Sequence, residues 1–258
     1  MSEETLAGRP VIDRPSPNCD ERPGDAGPVD TLVLHYTGMV SAEASLARMT
    51  DARARVSAHW CIGEDGTLWR LVPEERCAWH AGVSEWRGRR SVNDRSIGIE
   101  LVNPGHEHGY RPFPPLQMDA LLDLARAIVV RHPIEPRNVV AHSDIAPARR
   151  QDPGEFFDWA RLAEAGIGLW PEEGEGSAQD RPALRQGDSG TAVRRQQERL
   201  RAVGYGLVSD GDFGAATAAV VRAFQRHFRQ TRVDGVIDAG TAEVLERVSA
   251  LMAGSAQA

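Results

Sequence analysis

The sequence predicts an α/β domain with a central mixed β-sheet flanked by helices, followed by a small C-terminal three-helix domain. Three observations carry this. Short apolar runs alternate with stretches of helical periodicity up to about residue 165, the pattern of a layered α/β domain. A stretch rich in Gly, Pro, Glu and Ser then interrupts it, with Pro171 to Ser177 the best linker candidate. Beyond the interruption, Asp210-Gly-Asp-Phe-Gly-Ala-Ala-Thr217 is echoed by Asp234-Gly-Val-Ile-Asp-Ala-Gly-Thr241, and each leads into a helical pattern.

Residues 1–28 are rich in Pro, Gly, Asp and Arg and read as an extended lead-in. Thr31 to Tyr36 is a short apolar run that reads as a buried strand. Residues 41–54 read as a helix, with Ala44, Leu46 and Met49 available for packing. Ala58 to Ile62, Thr67 to Val72 and Ser96 to Val102 are strand candidates, and Glu64-Asp65-Gly66 between the first two signals a hairpin. Residues 116–131 place Leu121, Leu124, Ala125 and Ile128 at helical spacing, and Pro133 and Pro136 end that helix. Asn138 to Ala141 adds one more short strand. The first domain is therefore expected over 29–165 and a linker over 166–183.

In 184–252, three helical patterns carry Val193, Leu200 and Val203, then Val221, Phe224 and Phe228, then Val244, Val248 and Leu251. Three short helices of this kind can share one small core, leaving 253–258 as a tail.

Bulk properties narrow the function classes. A chain of 258 residues accommodates a domain and a module. Its 41% hydrophobic and 26% charged content is ordinary for a globular protein, and no apolar stretch approaches the length of a membrane span. A formal net charge of -7 gives no basic field, which argues against a nucleic-acid partner. The sequence contains no lysine, so all 30 basic residues are arginine. Cys19, Cys61 and Cys77 form no C-x-x-C and are odd in number, which excludes a cysteine metal knuckle and argues against a disulfide framework. Cys61 and Cys77 lie in apolar stretches and read as small buried hydrophobes. The N-terminus has an early acidic pair and no apolar segment of secretory type, so a cytoplasmic protein is expected, or a periplasmic or exported one if a leader precedes this sequence. A monomer is assumed.

Three segments carry candidate chemistry. His35 ends a buried strand, Glu100 lies inside the apolar run Ile97-Gly-Ile-Glu-Leu101, and His142 at another strand end precedes Asp152 by ten residues, in a Pro/Gly turn. A catalytic zinc takes three protein ligands and leaves one position for water. His35, His142 and Asp152 offer two nitrogens and one oxygen of the right kind. Glu100 is the candidate general base and acid, because an unpaired charge in so apolar a strand is costly to keep without a use. Read singly, each residue also has a structural alternative: a hydrogen-bonded strand-end histidine, a glutamate paired with arginine across the sheet, a turn-capping aspartate. No local spacing rule such as H-E-x-x-H ties them together.

The segments resemble the type 2 N-acetylmuramoyl-L-alanine amidases. The matching stretches are Pro15 to Asp20 with Arg22-Pro23, Val33 to Thr37, Val56 to Trp60, Ala78 to Gly82, Asn93-Asp94 with Ser96 to Glu100, and Ala141 to Gly154, spread over roughly residues 15 to 160 in the family's order. The resemblance implies the fold shared by these amidases and the peptidoglycan-recognition proteins. It implies one zinc ion held by His35, His142 and Asp152, and Glu100 as the catalytic acid/base. It also implies cleavage of the amide between the N-acetylmuramoyl (or 1,6-anhydro-N-acetylmuramoyl) lactyl group and L-alanine, with peptidoglycan fragments or the sacculus as partner. Family members usually carry lysine two positions before the ligand aspartate. Here that position is Arg150, which stays protonated and is expected to stabilise the oxyanion rather than relay a proton. Arg55, Trp79 and His80 are expected at the substrate groove, with His59 and His80 near it or in packing rather than on zinc.

Other motifs are weaker. His106-Glu-His108 in a Gly/Pro loop is expected beside the cleft rather than on a metal. Asp210 and Asp212 suggest a calcium loop, but the twelfth position is Val221, which excludes an EF-hand. The segment from about Leu184 to Leu251 looks like the helical peptidoglycan-binding domain, on Leu184-Arg-Gln-Gly-Asp-Ser-Gly, Asp210-Gly-Asp-Phe-Gly with Thr217, Phe224-Gln225, and Asp234-Gly235 with Thr241. The alternative to an enzyme is a non-catalytic peptidoglycan receptor on the same fold. Such a receptor is expected to lack a ligand or the acid/base, and all four positions are intact here.

Overall fold

The structure is a computed structural model and describes residues 5–171 and 182–254. Its strands are β1 (Thr5–Leu6), β2 (Arg9–Asp13), β3 (Cys19–Glu21), β4 (Thr31–Tyr36), β5 (Trp60–Ile62), β6 (Leu68–Arg70), β7 (Arg76–Ala78), β8 (Glu85–Trp86), β9 (Arg89–Arg90), β10 (Ser96–Leu101) and β11 (Val139–Ala141). Its helices are α1 (Ala42–Thr50), α2 (Pro115–Arg131), α3 (His142–Ile145), α4 (Trp159–Glu164), α5 (Thr191–Val203), α6 (Ala215–Phe228) and α7 (Ala239–Gly254). Among the described residues no helix is long and apolar enough to cross a membrane.

Seven strands form one mixed sheet in the order β1-β2-β6-β5-β10-β4-β11. The centre is parallel: β10 runs beside β4 with Glu100 opposite His35, and beside β5 with Glu100 opposite Cys61. Side chains alternate across a sheet, so the strand sequences sort themselves onto two faces. Leu32, Leu34, Ile97, Ile99 and Leu101 face one side, where Met118, Leu121, Leu124, Ala125 and Ile128 of α2 cover them. His35, Gly98 and Glu100 lie on the other side.

That second face has its own cover. Val33 and Val140 join a core built from Trp86, Val92 and Ile145 together with Leu200, Val203, Val221, Phe224 and Phe228 of the C-terminal helices. The three-helix unit therefore packs on the sheet domain, and one apolar core runs through both. Within the unit the internal repeat has a physical basis. Gln197 donates to Asp210, Asp212 and Thr217 and accepts from the Gly211 amide. Gln225 donates to Asp234, Val236 and Thr241 and accepts from the Gly235 amide. In each repeat one buried glutamine pins the turn that leads into the next helix, and Asp210 is consumed as a turn residue.

Two expectations about the domain layout need correction. Residues 1–28 are not only a lead-in: β2 pairs parallel with β6 inside the main sheet, and β3 pairs antiparallel with β7. Polar lead-in side chains hold this arrangement. Asn18 donates to the carbonyls of Met49, Asp51 and Val56, and the Arg22 guanidinium donates to those of Glu74, Asn93, Asp94 and Ser96. The Pro-rich composition masked strands whose partners lie far along the chain. The expected linker is also shorter at its start, because Ile167 is buried in the sheet-domain core and Trp170 packs against it. Residues 172–181, within the linker candidate, lie outside the described residues, as do 255–258 of the tail, whose first two positions instead continue α7. Cys61 and Cys77 are buried and unpaired, and Cys19 is half-buried and unpaired.

Candidate metal centre and active site

His35 stands near the C-terminal end of β4. Its neighbour β11 ends one residue before His142, the first residue of α3. The turn after α3 folds back so that the Ser143 amide donates to the Asp152 carbonyl at 3.0 Å. These three elements bring His35 Nδ1, His142 Nδ1 and Asp152 Oδ2 together, with separations of 2.9, 3.0 and 3.0 Å. All three residues are buried.

The geometry fits a metal better than hydrogen bonding alone. Ligands at zinc distances of about 2.0–2.2 Å sit about 3.3–3.6 Å apart in a tetrahedron, so the observed triangle is only a few tenths of an ångström tight. His142 Nε2 lies 3.2 Å from the Ala81 carbonyl oxygen, which only accepts. The Nε2 proton goes there, and Nδ1 presents a lone pair to the centre. Three acceptor atoms this close repel one another unless a proton or cation lies between them.

Electrostatics follow from burial and from these neighbours. Burial and the nearby His142 push His35 down from 6.5 to about 4, against the pull of Asp152. Burial alone would raise Asp152, but His142 and His35 outweigh it and hold its carboxyl far below the ordinary range. Glu100 goes the other way. Burial, reinforced by the charge of Asp152, raises it well above the usual carboxylate value, with Arg150 opposing. Glu100 Oε2 is buried without a hydrogen-bond partner. A buried carboxyl oxygen without a hydrogen-bond partner is costly unless chemistry uses it.

A cleft of about 520 Å³ opens over this cluster. Its walls include Tyr36, Thr37, Arg48, Glu100, Gly105, His106, His108, His142, Arg149, Arg150, Gln151 and Asp152. Arg150 is exposed at the wall, where its charge reaches Glu100 and His35. The His106 loop is tied down rather than free: Nδ1 lies 2.9 Å from the Tyr36 hydroxyl and Nε2 lies 3.1 Å from Glu155. Tyr36, Arg48 and Gln151 were not anticipated as cleft residues. Tyr36 stands next to His35 in the strand, and that adjacency was the available signal.

The three residues expected to bind substrate behave differently. Arg55 is exposed, stacks its guanidinium 5.2 Å from the Trp79 ring and lies outside the cleft walls. Trp79 donates its indole N–H to Asp20 at 2.6 Å and also lies outside them. His80 reaches the cleft floor, but it is only 5% exposed and both ring nitrogens face protein partners, His35 and Ser96. His80 thus lines the cleft with both ring nitrogens engaged by protein partners. His59 is wholly buried, accepting from the Gly98 amide and reaching the Arg76 carbonyl.

A mixed sheet bears a buried His-His-Asp triangle that could hold a metal ion, with a glutamate on the adjacent strand whose Oε2 has no hydrogen-bond partner, the residue set of a candidate metal-dependent hydrolase. Residues 25–155 match the profile of the family described as N-acetylmuramoyl-L-alanine amidase, and residues 189–245 match that of a peptidoglycan binding domain. The chain belongs to the N-acetylmuramoyl-L-alanine amidase family and is an enzyme of that class. It is 39% identical over 236 residues to the N-acetylmuramoyl-L-alanine amidase AmiD of Escherichia coli K12, covering 84% of this chain and 81% of that protein. It is 38% identical over 165 residues to the 1,6-anhydro-N-acetylmuramyl-L-alanine amidase AmpD of the same organism, covering 57% of this chain and 87% of that one. Among solved structures, it is similar to E. coli AmiD in complex with anhydro-N-acetylmuramic acid-L-Ala-D-gamma-Glu-L-Lys, with a TM-score of 0.73, 38% identity, and coverage of 88% of this chain and 91% of that one. It is also similar to AmpDh3 of Pseudomonas aeruginosa, with a TM-score of 0.72, 36% identity, and coverage of 86% and 92%.

Proposed function

We propose that the protein hydrolyses the amide between the lactyl group of N-acetylmuramic acid, or its 1,6-anhydro form, and L-alanine in peptidoglycan fragments or the sacculus. One zinc ion held by His35, His142 and Asp152 is its cofactor. The observation that carries this reading is the convergence of three ligand atoms at 2.9–3.0 Å beside the unpartnered Glu100 carboxylate. The relatives point the same way: the substrate complex of E. coli AmiD holds anhydro-N-acetylmuramic acid-L-Ala-D-gamma-Glu-L-Lys.

Zinc bound at the triangle supplies Lewis acidity, which makes water reactive at neutral pH. Glu100 takes a proton from the attacking water and returns it to the nitrogen of L-alanine as the C–N bond breaks, leaving a carboxylate on the lactyl group and a free amine on the peptide. Its raised pKa suits both duties, since a base too weak to hold the proton has none to give back. Arg150 stays charged throughout and offsets negative charge on the carbonyl oxygen as water adds. Arg48, Arg149 and Arg150 in the cleft walls favour the acidic peptide stem of such a substrate. The C-terminal helices contribute affinity for polymeric wall.

The test is incubation with anhydro-N-acetylmuramyl tripeptide and with intact sacculi, with and without chelator, followed by mass spectrometry. Release of free peptide that stops with chelator and returns with zinc is expected. A zinc-loaded protein that cleaves neither substrate would overturn the reading.

A further inference from the structure

We propose that His80 is a positioning residue for the metal centre. It locks His35 in the tautomer whose Nδ1 lone pair faces the triangle, and Ser96 locks His80 in turn. The inference rests on the metal-site reading above and adds residues to which that reading gives no role.

The assignment follows from a chain of hydrogen bonds with a fixed starting point. The Val92 carbonyl oxygen can only accept, so the Ser96 hydroxyl, 2.7 Å away, donates its one hydrogen there. Ser96 Oγ can then only accept from its other neighbour, His80 Nε2, at 3.2 Å. His80 is therefore protonated on Nε2, and its Nδ1 is an acceptor. That Nδ1 lies 3.0 Å from His35 Nε2, which must donate. His35 is left with its lone pair on Nδ1, the atom that faces His142 and Asp152. Reversing the chain would put the His35 proton on Nδ1, blocking the metal. It would also demand that Ser96 turn its hydrogen to His80 and leave the Val92 carbonyl without it. The 2.7 Å bond at the far end thus sets the tautomer at the near end.

The surroundings hold this relay in place. His80 lies flat against β10 at Gly98, where an added Cβ would stand 2.5 Å from the imidazole Cγ. Only glycine leaves the ring that room. Asn93 Oδ1 accepts from the backbone amides of His80 and Ala81 at 3.1 and 2.7 Å, fixing the segment that presents the ring. Ala81 also supplies the carbonyl that orients His142. The two histidine ligands are thus oriented by adjacent residues, one through a side chain and one through a main-chain oxygen. A partner that orients a ligating histidine is worth about 10–100-fold in metal affinity.

The experiment has two readings on the full-length protein. The first is the tautomer state in chelator-treated wild-type protein carrying ¹⁵N-histidine, from long-range proton–nitrogen correlation spectra. His35 and His80 are expected with protons on Nε2, and a proton on Nδ1 of either would overturn the proposal. The second is zinc affinity by competition with a chromophoric chelator. His80→Leu is expected to lose about 10–100-fold, and Ser96→Ala to lose less. His80→Asn is expected to recover most of the loss, because its amide oxygen reaches the place of Nδ1 and accepts from His35. Equal losses in His80→Leu and His80→Asn, or none in His80→Leu, would reduce His80 to packing. A wild-type protein that fails to bind zinc would sink the metal reading instead, and the metal-free spectra separate that failure from failure of the relay.

Discussion

His227 Nδ1, on the second C-terminal helix, donates to Asp144 Oδ2 at 2.6 Å, two residues beyond the candidate ligand His142. Asp144 is wholly buried, and it also accepts from the Tyr205 hydroxyl at 2.7 Å and the Ala141 amide at 2.8 Å. One carboxylate therefore ties the end of β11, helix α3 and the C-terminal helices into one body. His227 is itself stacked on Trp159, with ring centroids 3.7 Å apart. Asp144→Ala leaves three donors unpaired in a dry interface and is expected to destabilise the protein by about 2–4 kcal/mol. Calorimetry should show the wild-type sheet domain and helical unit melting in one transition. Two well-separated transitions in the wild type would contradict the shared core.

Glu100 is expected to trade stability for activity. Glu100→Gln should lower kcat by about 10²–10⁴-fold, the usual worth of a general acid/base. It should also raise the melting temperature of the chelator-treated protein at pH 7. The sign follows from the raised native pKa. Between the unfolded value near 4.5 and the native value, the native state keeps a proton that the unfolded state has lost, so stability falls as pH rises. The glutamine variant has no such proton to lose. Its stabilisation should vanish near pH 4, and melting curves at pH 4, 6 and 8 check this.

Arg150 is expected to act through charge alone. Arg150→Met should reduce kcat by about 10²–10³-fold with a smaller change in KM, as for loss of one oxyanion donor. Arg150→Lys should retain much of the activity and introduce an alkaline limb that the wild type lacks, because lysine titrates where arginine does not. Identical pH profiles for wild type and Arg150→Lys would count against the assignment.

Acid should destabilise the metal-free protein early. Burial holds His35 at about 4 and His59 at about 3, below the ordinary 6.5, and it lowers His80 well below that value as well. As pH falls below about 6.5, the unfolded chain binds protons that these native histidines refuse, so stability drops. Urea denaturation of chelator-treated protein should show a falling unfolding free energy from pH 7 to pH 5. Zinc should raise the unfolding free energy across this range without flattening the slope, because His35 is already neutral in the metal-free native state and a bound ion keeps it so until acid displaces the ion.

The central strands and α2 were legible because their apolar residues repeat with the period of the element that buries them. Thr31 to Tyr36 and Ser96 to Leu101 form β4 and β10 as the apolar runs required. The strands β2, β3, β7, β8 and β9 were not legible. They are two to five residues long and carry little apolar alternation; β2, β3 and β7 pair with strands distant in sequence, and β8 and β9 form a hairpin of two residues a side. Resemblance selected His35, His142, Asp152 and Glu100, while composition and spacing alone left each with a structural alternative. The family-like segment around His80 leaves open whether the ring meets the groove or packs inside. Its burial depends on Gly98 and Asn93, neither of which signals that role locally.

By itself, the sequence determined the layered α/β class, the helical C-terminal unit with its repeated turns, and the residue types able to hold a metal. These are local properties: period, turn chemistry and donor atoms are written residue by residue. Only the tertiary structure decided that Val33 and Val140 share a core with the C-terminal helices, that the Pro-rich start of the chain completes the sheet, and that Ser96 reaches His35 through His80. An apolar side chain states that it will be buried, and a histidine that it will find partners. Neither states against what, because burial is non-directional and the choice of partner is made by the whole packed chain.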